Sequence, residues 1–215
     1  MDERVRRALQ QWPNVPDIYG WLALDRRGHW RLRGEGISNP ALREFIARNY
    51  LRHPSGSYIF QNGPQAVHVA LEAAPYVARL EIPAQGTPWL RVQTGARLQP
   101  RRLLRGDDEA LYFAGAICAD DAPLAPDANE ERPALALLHE QDQALLLELL
   151  QEAGGRPLSE DTLAAAWQAP EAHPVTLPWG DAALRLEWVR GSLEQPFGFI
   201  AQPTPAADPG RASPA

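Results

Sequence analysis

Glu72-Ala73-Ala74-Pro75-Tyr76-Val77-Ala78 is the stretch on which the reading of this chain turns. Just before it, Val67, Val69 and Leu71 share one face of an alternating segment; just after it, the chain runs extended to Ile82. Proline carries no backbone N–H and pushes the residue before it away from helix. Pro75 therefore predicts a bend that joins two extended pieces, a structural joint rather than a catalytic loop.

Upstream, Tyr58 and Phe60 alternate with Ser57, Ile59 and Gln61, and Gln61-Asn62-Gly63-Pro64 turns the chain into the Val67–Leu71 strand. Asn-Gly between alternating segments is a hairpin signal, because both residues tolerate positive φ. Ser38-Asn39-Pro40 starts a helix, with Asn39 as cap and Pro40 in the first turn. Leu42, Phe45, Ile46 and Tyr50 follow at helical spacing, and a stop is expected near His53-Pro54. Further back, Ile18–Leu24 and His29–Arg33 flank the turn Asp25-Arg26-Arg27-Gly28. Residues 2–12 form a short amphipathic helix ended by Pro13 and Pro16.

Downstream the pattern weakens. Residues 94–105 carry no clear period, Leu111–Phe113 reads as a short strand, and 118–132 as an acidic, proline-broken loop. A leucine-rich helix spans about Gln141–Ala153, ended by Gly154-Gly155. Ser159 caps a helix over Glu160–Gln168 that buries Leu163 and Trp167. Strands follow at Val175–Leu177, Ala183–Val189 and Phe197–Ala201, and a Pro/Ala/Ser tail from Pro203 is expected to be disordered.

The predicted class is α+β, mainly antiparallel strands with three to four helices in two related sheet-and-helix units. The expected division is 1–16 as N-terminal helix and linker, 17–105 and 106–202 as the units, and 203–215 as tail.

Composition narrows the function by exclusion. A net charge of −6 disfavours nonspecific binding to nucleic acid or anionic membranes. Lysine is absent, which excludes a Schiff-base lysine. Cys118 is the single cysteine, so no internal disulfide and no Cys-rich zinc site can form, and it reads as a small buried residue. The N-terminus lacks an apolar signal-peptide core, and no apolar run reaches the ~20 residues of a membrane helix. A cytoplasmic location, with no membrane partner and no nucleic acid, is the expectation.

No nucleophile elbow, phosphate-binding glycine loop or clustered histidine motif occurs. The sequence thus names no catalytic residue, metal or cofactor. The expected ligand site is where aromatic and hydrogen-bonding groups gather, on Trp30, Arg31 and Arg33 of one hairpin and Tyr58, Gln61 and Asn62 of the other. The leading expectation is a non-enzymatic ligand-binding or regulatory module with an unknown small-molecule or protein partner. One alternative is an enzyme in which at least two of His29, His68, His139 and His173 converge beside a carboxylate. Another is an interaction module using Trp89 or Trp179.

The first half also resembles an uncharacterised bacterial family. The series Leu24-Asp25-Arg26-Arg27-Gly28-His29-Trp30, Gly36-Ile37, a helix with Leu42 and Phe45, Gly56-Ser57-Tyr58 and then Glu72–Ala78 is similar to that family's order and spacing over about residues 18–80. Members run Ile-x-x-Asp-Gly-x-Trp, Gly-x-Pro-Ile, a helix, Asp-Gly-x-Tyr and Glu-Asp-Ala-Pro-Phe-Val-Ala. The chain departs in lacking a proline before Ile37 and in carrying Asn62-Gly63-Pro64 where members have Thr-Pro, and the second half is hard to match. The resemblance implies a two-part α+β fold of repeated sheet-and-helix motifs, with signalling or ligand sensing as the suggested role. It supplies no catalytic residues to carry over.

Overall fold

The computed structural model of the chain describes residues 1–12, 15–84, 86–119, 122–123, 133–152 and 154–205. Most of the region that reads as an acidic loop, and the tail beyond 205, lie outside the described residues.

The first layer follows the hairpin–helix–hairpin order. After helix α1 (Glu3–Gln11) come strands β1 (Ile18–Leu24), β2 (Trp30–Leu32) and β3 (Glu35–Gly36). Helix α2 (Pro40–Arg48) leads to β4 (Tyr50–Arg52), β5 (Tyr58–Asn62) and β6 (Gln65–Leu71). They form one six-stranded sheet in the order β3-β2-β1-β6-β5-β4, with β1 and β6 parallel at its centre. Asn39 caps α2 by accepting the Leu42 N–H at 3.2 Å, and Pro40 opens the first turn. The helix stops at Arg48, earlier than its apolar spacing predicts. Buried Asn49 closes it by donating its side-chain amide to Phe45 O, which frees Tyr50 to begin β4.

The Glu72–Pro75 stretch carries the chain from this sheet into the next. Tyr50 Oη and Gln93 Nε2 both donate to Pro75 O, at 2.8 and 3.2 Å, while Gln93 Oε1 accepts the Val77 N–H at 3.0 Å. Pro75 cannot donate, so its carbonyl and the next free N–H are tied by side chains instead of a ladder.

The second layer begins with β7 (Tyr76–Glu81), β8 (Trp89–Val92), β9 (Arg97–Arg105) and β10 (Leu111–Ala119). It continues with β11 (Ala122–Pro123), β12 (Ala134–Leu138), a 3₁₀ turn at Glu140–Asp142 and α3 (Gln143–Leu149). The chain then forms β13 (Gln151–Glu152), α4 (Glu160–Gln168), β14 (Val175–Trp179), β15 (Ala182–Trp188) and α5 (Glu194–Phe197). Because β9 pairs with β10 as well as β8, strands β7-β8-β9-β10-β12 close into a small barrel, with β12 and β7 parallel at the seam. Strand β15 joins the C-terminal half of β9 in parallel and leads outward to β14 and β13.

The fold is therefore strand-rich α+β, with five α-helices among the described residues against the three to four expected. The extra one, α5, replaces the strand expected from Phe197: Gly198 adopts φ 60 and caps that short helix. The barrel also shows why 97–138 lacked a readable period. Leu103, Leu111, Phe113, Ala136 and Leu138 belong to the barrel core, while Leu104, Tyr112, Ala114, Leu135 and Leu137 pack against the six-stranded sheet. A strand buried on both faces shows a continuous apolar run and no alternation. Each fully buried leucine or phenylalanine in these cores contributes about 1.5–3 kcal/mol.

Candidate functional site

Two clefts lie where the β1–β2 turn, the barrel and the segment after β12 meet. The larger, about 890 Å³, is walled by α3 and α4, the end of β12 and the β9–β10 turn, with Arg26 at one rim. One wall is apolar, built by Leu137, Leu147, Leu163 and Trp167. These come from helical spacing in α3 and α4 and from the outward residues of β12.

The polar groups of this cleft are unequal. Arg26 donates to Asp108 Oδ2 at 2.7 Å, and Tyr112 Oη donates to the same oxygen at 2.8 Å. Burial alone would raise the Asp108 carboxyl, but these two donors and the Ala110 N–H hold it below its ordinary value. Arg105 is only 7% exposed. Its guanidinium carbon lies 5.2 Å from the Trp167 ring centroid and 5.0 Å from that of Trp188. Its Nη2 donates to Glu109 at 3.3 Å, and among the described residues its Nε is a buried side-chain polar atom without a hydrogen-bond partner. A buried donor left unmade costs about 1–3 kcal/mol, so such an atom calls for an explanation.

The smaller cleft, about 530 Å³, shares Glu140 with the larger one and is lined by His29, Arg79, Arg91 and His139. His29 and His139 thus meet in one cleft beside a carboxylate, the convergence the enzyme alternative required; His68 lies elsewhere and His173 is exposed. His139 Nδ1 accepts the Gln141 N–H at 3.2 Å, which leaves the ring proton on Nε2. Burial first, and the Arg79 guanidinium second, hold His139 below the ordinary histidine value, against a smaller upward pull from Asp142 and Glu140.

The folded protein consequently binds fewer protons at His139 than the unfolded chain does. Its stability is expected to fall as pH drops below about 6.5, the unfolded value. His139→Asn, whose Oδ1 can still accept the Gln141 N–H, should flatten the stability slope between pH 7.5 and 5 in urea titrations. Equal slopes for both proteins would contradict this account.

A third polar group lies inside the first layer. Ser57 Oγ is 2.9 Å from His68 Nδ1, and His68 Nε2 is 3.1 Å from Asp17 Oδ2. The residues are those of a hydrolytic triad, but Ser57 is 1% and His68 2% exposed, and Ser57 Oγ also contacts Ser55 Oγ at 3.0 Å. Neither cleft reaches this group. A nucleophile must meet its substrate, so the arrangement acts here as a satisfied polar network tying β6 to the residues that lead into β1 and β5.

The six residues expected to form a ligand site are dispersed. Trp30 and Tyr58 are buried in the core of the first layer, each against Tyr50, with ring centroids 5.0 and 5.3 Å away. Arg31 donates from Nε to buried Asp25 at 3.0 Å. Arg33 adopts φ 51 beyond the end of β2 and covers the Trp21 ring at 3.9 Å. Buried Gln61 donates to Gly63 O at 3.0 Å, and Asn62 is exposed at the hairpin tip. None of the six lines either cleft. Of the tryptophans, Trp89 and Trp179 are half-buried, whereas Trp12 and Trp21 are exposed.

In sequence Arg105 sits among Arg97, Arg101 and Arg102, a spacing that resembles a solvated basic group. Its parity with inward residues of β9 was the available signal, hidden by the irregularity at Pro100 and Arg101. Among the described residues, no three His, Cys, Asp or Glu side chains are grouped to hold a metal, and no helix is long and apolar enough to cross a membrane.

No curated protein matches the chain. Two crystal structures of DUF1285 family proteins are similar to it. The one from Silicibacter pomeroyi DSS-3 has a TM-score of 0.47 at 16% identity, covering 73% of this chain and 89% of its own. The one from Shewanella baltica OS155 has a TM-score of 0.38 at 14% identity, covering 59% of this chain and 89% of its own. The family model DUF2944, described as "Protein of unknown function (DUF2946)", matches residues 1–204. The match takes in both layers and both clefts: the chain belongs to the DUF2944 family, whose function is not known.

Proposed function

We propose that the chain is a binding module whose small-molecule ligand occupies the cleft of about 890 Å³. One observation carries this reading: the cleft is lined both by an apolar wall and by Arg105, whose buried Nε has no hydrogen-bond partner among the described residues. Ligand sites typically combine apolar lining with a few placed polar groups, and structural arginines are normally satisfied. Under this reading the site joins the β1–β2 turn and the end of β9 to the segment after β10. Arg26 and Arg105 come from the first, and the wall from α3, α4 and β12 comes from the second. A sensing or regulatory role follows from ligand occupancy linking α4 to the barrel.

The test uses Nile red, a neutral apolar dye, as probe. Saturable binding is expected, together with quenching of Trp167, which lines the cleft. Ala164→Trp places a large ring from an exposed position into the cleft and should weaken binding by about tenfold or more, as one lost contact set of about 1.4 kcal/mol would. Absence of saturable binding, or binding indifferent to Ala164→Trp, would remove the reading.

A further inference from the structure

We propose that the ligand of this cleft is a monocarboxylate with an apolar body, whose carboxylate takes the Nε/Nη2 edge of Arg105 and displaces Glu109 from it. The inference rests on the cleft being a binding site, and it specifies what binds there.

Three other arginines of the fold show what that edge can hold. Arg79 grips Asp142 from Nε and Nη2 at 2.7 and 3.1 Å. Arg91 grips Glu81 in the same way at 2.6 and 3.2 Å. Arg102 holds Glu187 from Nε at 3.1 Å and Nη2 at 2.6 Å. In all three the two parallel N–H groups match the two oxygens of one carboxylate. Arg105 presents the same edge half filled, with Nη2 on Glu109 at 3.3 Å and, among the described residues, nothing on Nε.

Its guanidinium is also the best prepared of the four. The Arg105 side chain is 8% exposed, against 50, 48 and 42% for Arg79, Arg91 and Arg102. The rings of Trp167 and Trp188 flank it, and Trp188 is held in turn by Nε1 donating to Asp107 at 3.2 Å. A preset, desolvated fork gains more from a carboxylate than a mobile surface one, because less freedom is lost on binding.

Glu109 is suited to leaving. Its side chain is 76% exposed, and it sits at φ 62 in the β9–β10 turn, where its carboxylate can swing into water while the turn keeps its shape. In the free protein it partly neutralises Arg105 and competes with the ligand.

Charge limits the ligand class. The cleft is lined by Arg26 and Arg105 but also by Asp108, Glu109, Glu140 and Glu160. A single negative charge replacing that of Glu109 leaves this balance unchanged, whereas a phosphate dianion adds a charge facing three remaining carboxylates. Leu137, Leu147 and Leu163 supply the surface for the apolar body.

Calorimetric titration with octanoate, octan-1-ol and octyl phosphate tests the proposal. Octanoate should bind about tenfold or more tighter than octan-1-ol, as expected for a charge-assisted fork. Glu109→Gln, at an exposed position, should tighten octanoate several-fold and leave octan-1-ol unchanged. Arg105→Lys keeps the charge but loses the fork and should erase most of the preference; Glu109→Gln carries the test if that variant fails to fold. Equal affinity for octanoate and octan-1-ol overturns the carboxylate assignment while the cleft remains a binding site. Binding of none of the three, or of Nile red, overturns the binding reading itself. Weaker octanoate binding in Glu109→Gln overturns the displacement, and tighter binding of octyl phosphate overturns the single-charge class.

Discussion

Gly115→Ala is expected to destabilise the protein by about 3 kcal/mol or more, the upper range for overpacking a site that cannot relax. A Cβ at Gly115 would lie 2.0 Å from Gln99 O and 2.8 Å from Pro100 Cα. Both are backbone atoms of the partner strand, so no side chain can rotate away to make room. The position is where the barrel closes. Between Ala114–Arg102 and Gly115–Pro100 the β9–β10 register shifts, and β9 carries Arg101 as an extra residue. Such a bulge bends a strand and admits a proline that a regular central strand would exclude. Urea unfolding measures the loss. Gly36→Ala is the control, since Gly36 has nothing within 4 Å of its added Cβ and no positive φ; its change should stay within about 0.5 kcal/mol. A Gly115→Ala midpoint close to that of the unchanged protein would mean the strands can part without cost, and the closure argument would fail.

Asp142→Asn is expected to cost about 3 kcal/mol, the scale for breaking a hydrogen-bonded charge pair with one buried partner. Asp142 is 6% exposed, accepts both Arg79 donors, and takes the Leu80 N–H at 2.9 Å. It therefore ties the 3₁₀ turn before α3 to strand β7, and with it one edge of each cleft. Half the Arg79 side chain is in water, which keeps the cost at the low end of the buried-pair range. Burial alone would raise the Asp142 carboxyl, but the Arg79 fork and the Leu80 N–H overcome it and hold the group below its ordinary 3.8. The folded value being depressed, this stabilisation is complete above the unfolded value and is lost as pH falls through the folded one. Asp142→Asn should remove part of the acid sensitivity below about pH 4 as well as lowering the plateau. Loss of stability with an unchanged acid limb would assign the effect to the turn rather than to the charge pair.

Local signals carried much of the first layer. Asn39 and Pro40 start α2, Asn62-Gly63 turns β5 into β6, Ser159 caps α4 by accepting the Thr162 N–H, and Pro75 bends the chain between sheets. Each is a choice made by one or two residues within a turn of chain, which is why it can be read in order. The second layer resisted that reading because its strands answer to two cores at once. Tyr112 and Phe113, adjacent in sequence, belong to different ones. Pro100 and the arginines of β9 further masked a nine-residue strand that only the bulge accommodates.

Order along the chain was enough for the α+β class, the hairpin–helix–hairpin of the first layer, the joint at Glu72–Ala78 and the exclusion of lysine and internal disulfide chemistry. Only long-range packing makes β9 close a barrel, turns Trp30 and Tyr58 into the core, and sets Arg105 by Trp167 and Trp188 with its Nε unmatched among the described residues. The reason is separation along the chain. Caps and turns are set by neighbours, whereas the rings that flank Arg105 come from positions more than sixty residues away, and parity along β9 does not say what closes over its guanidinium.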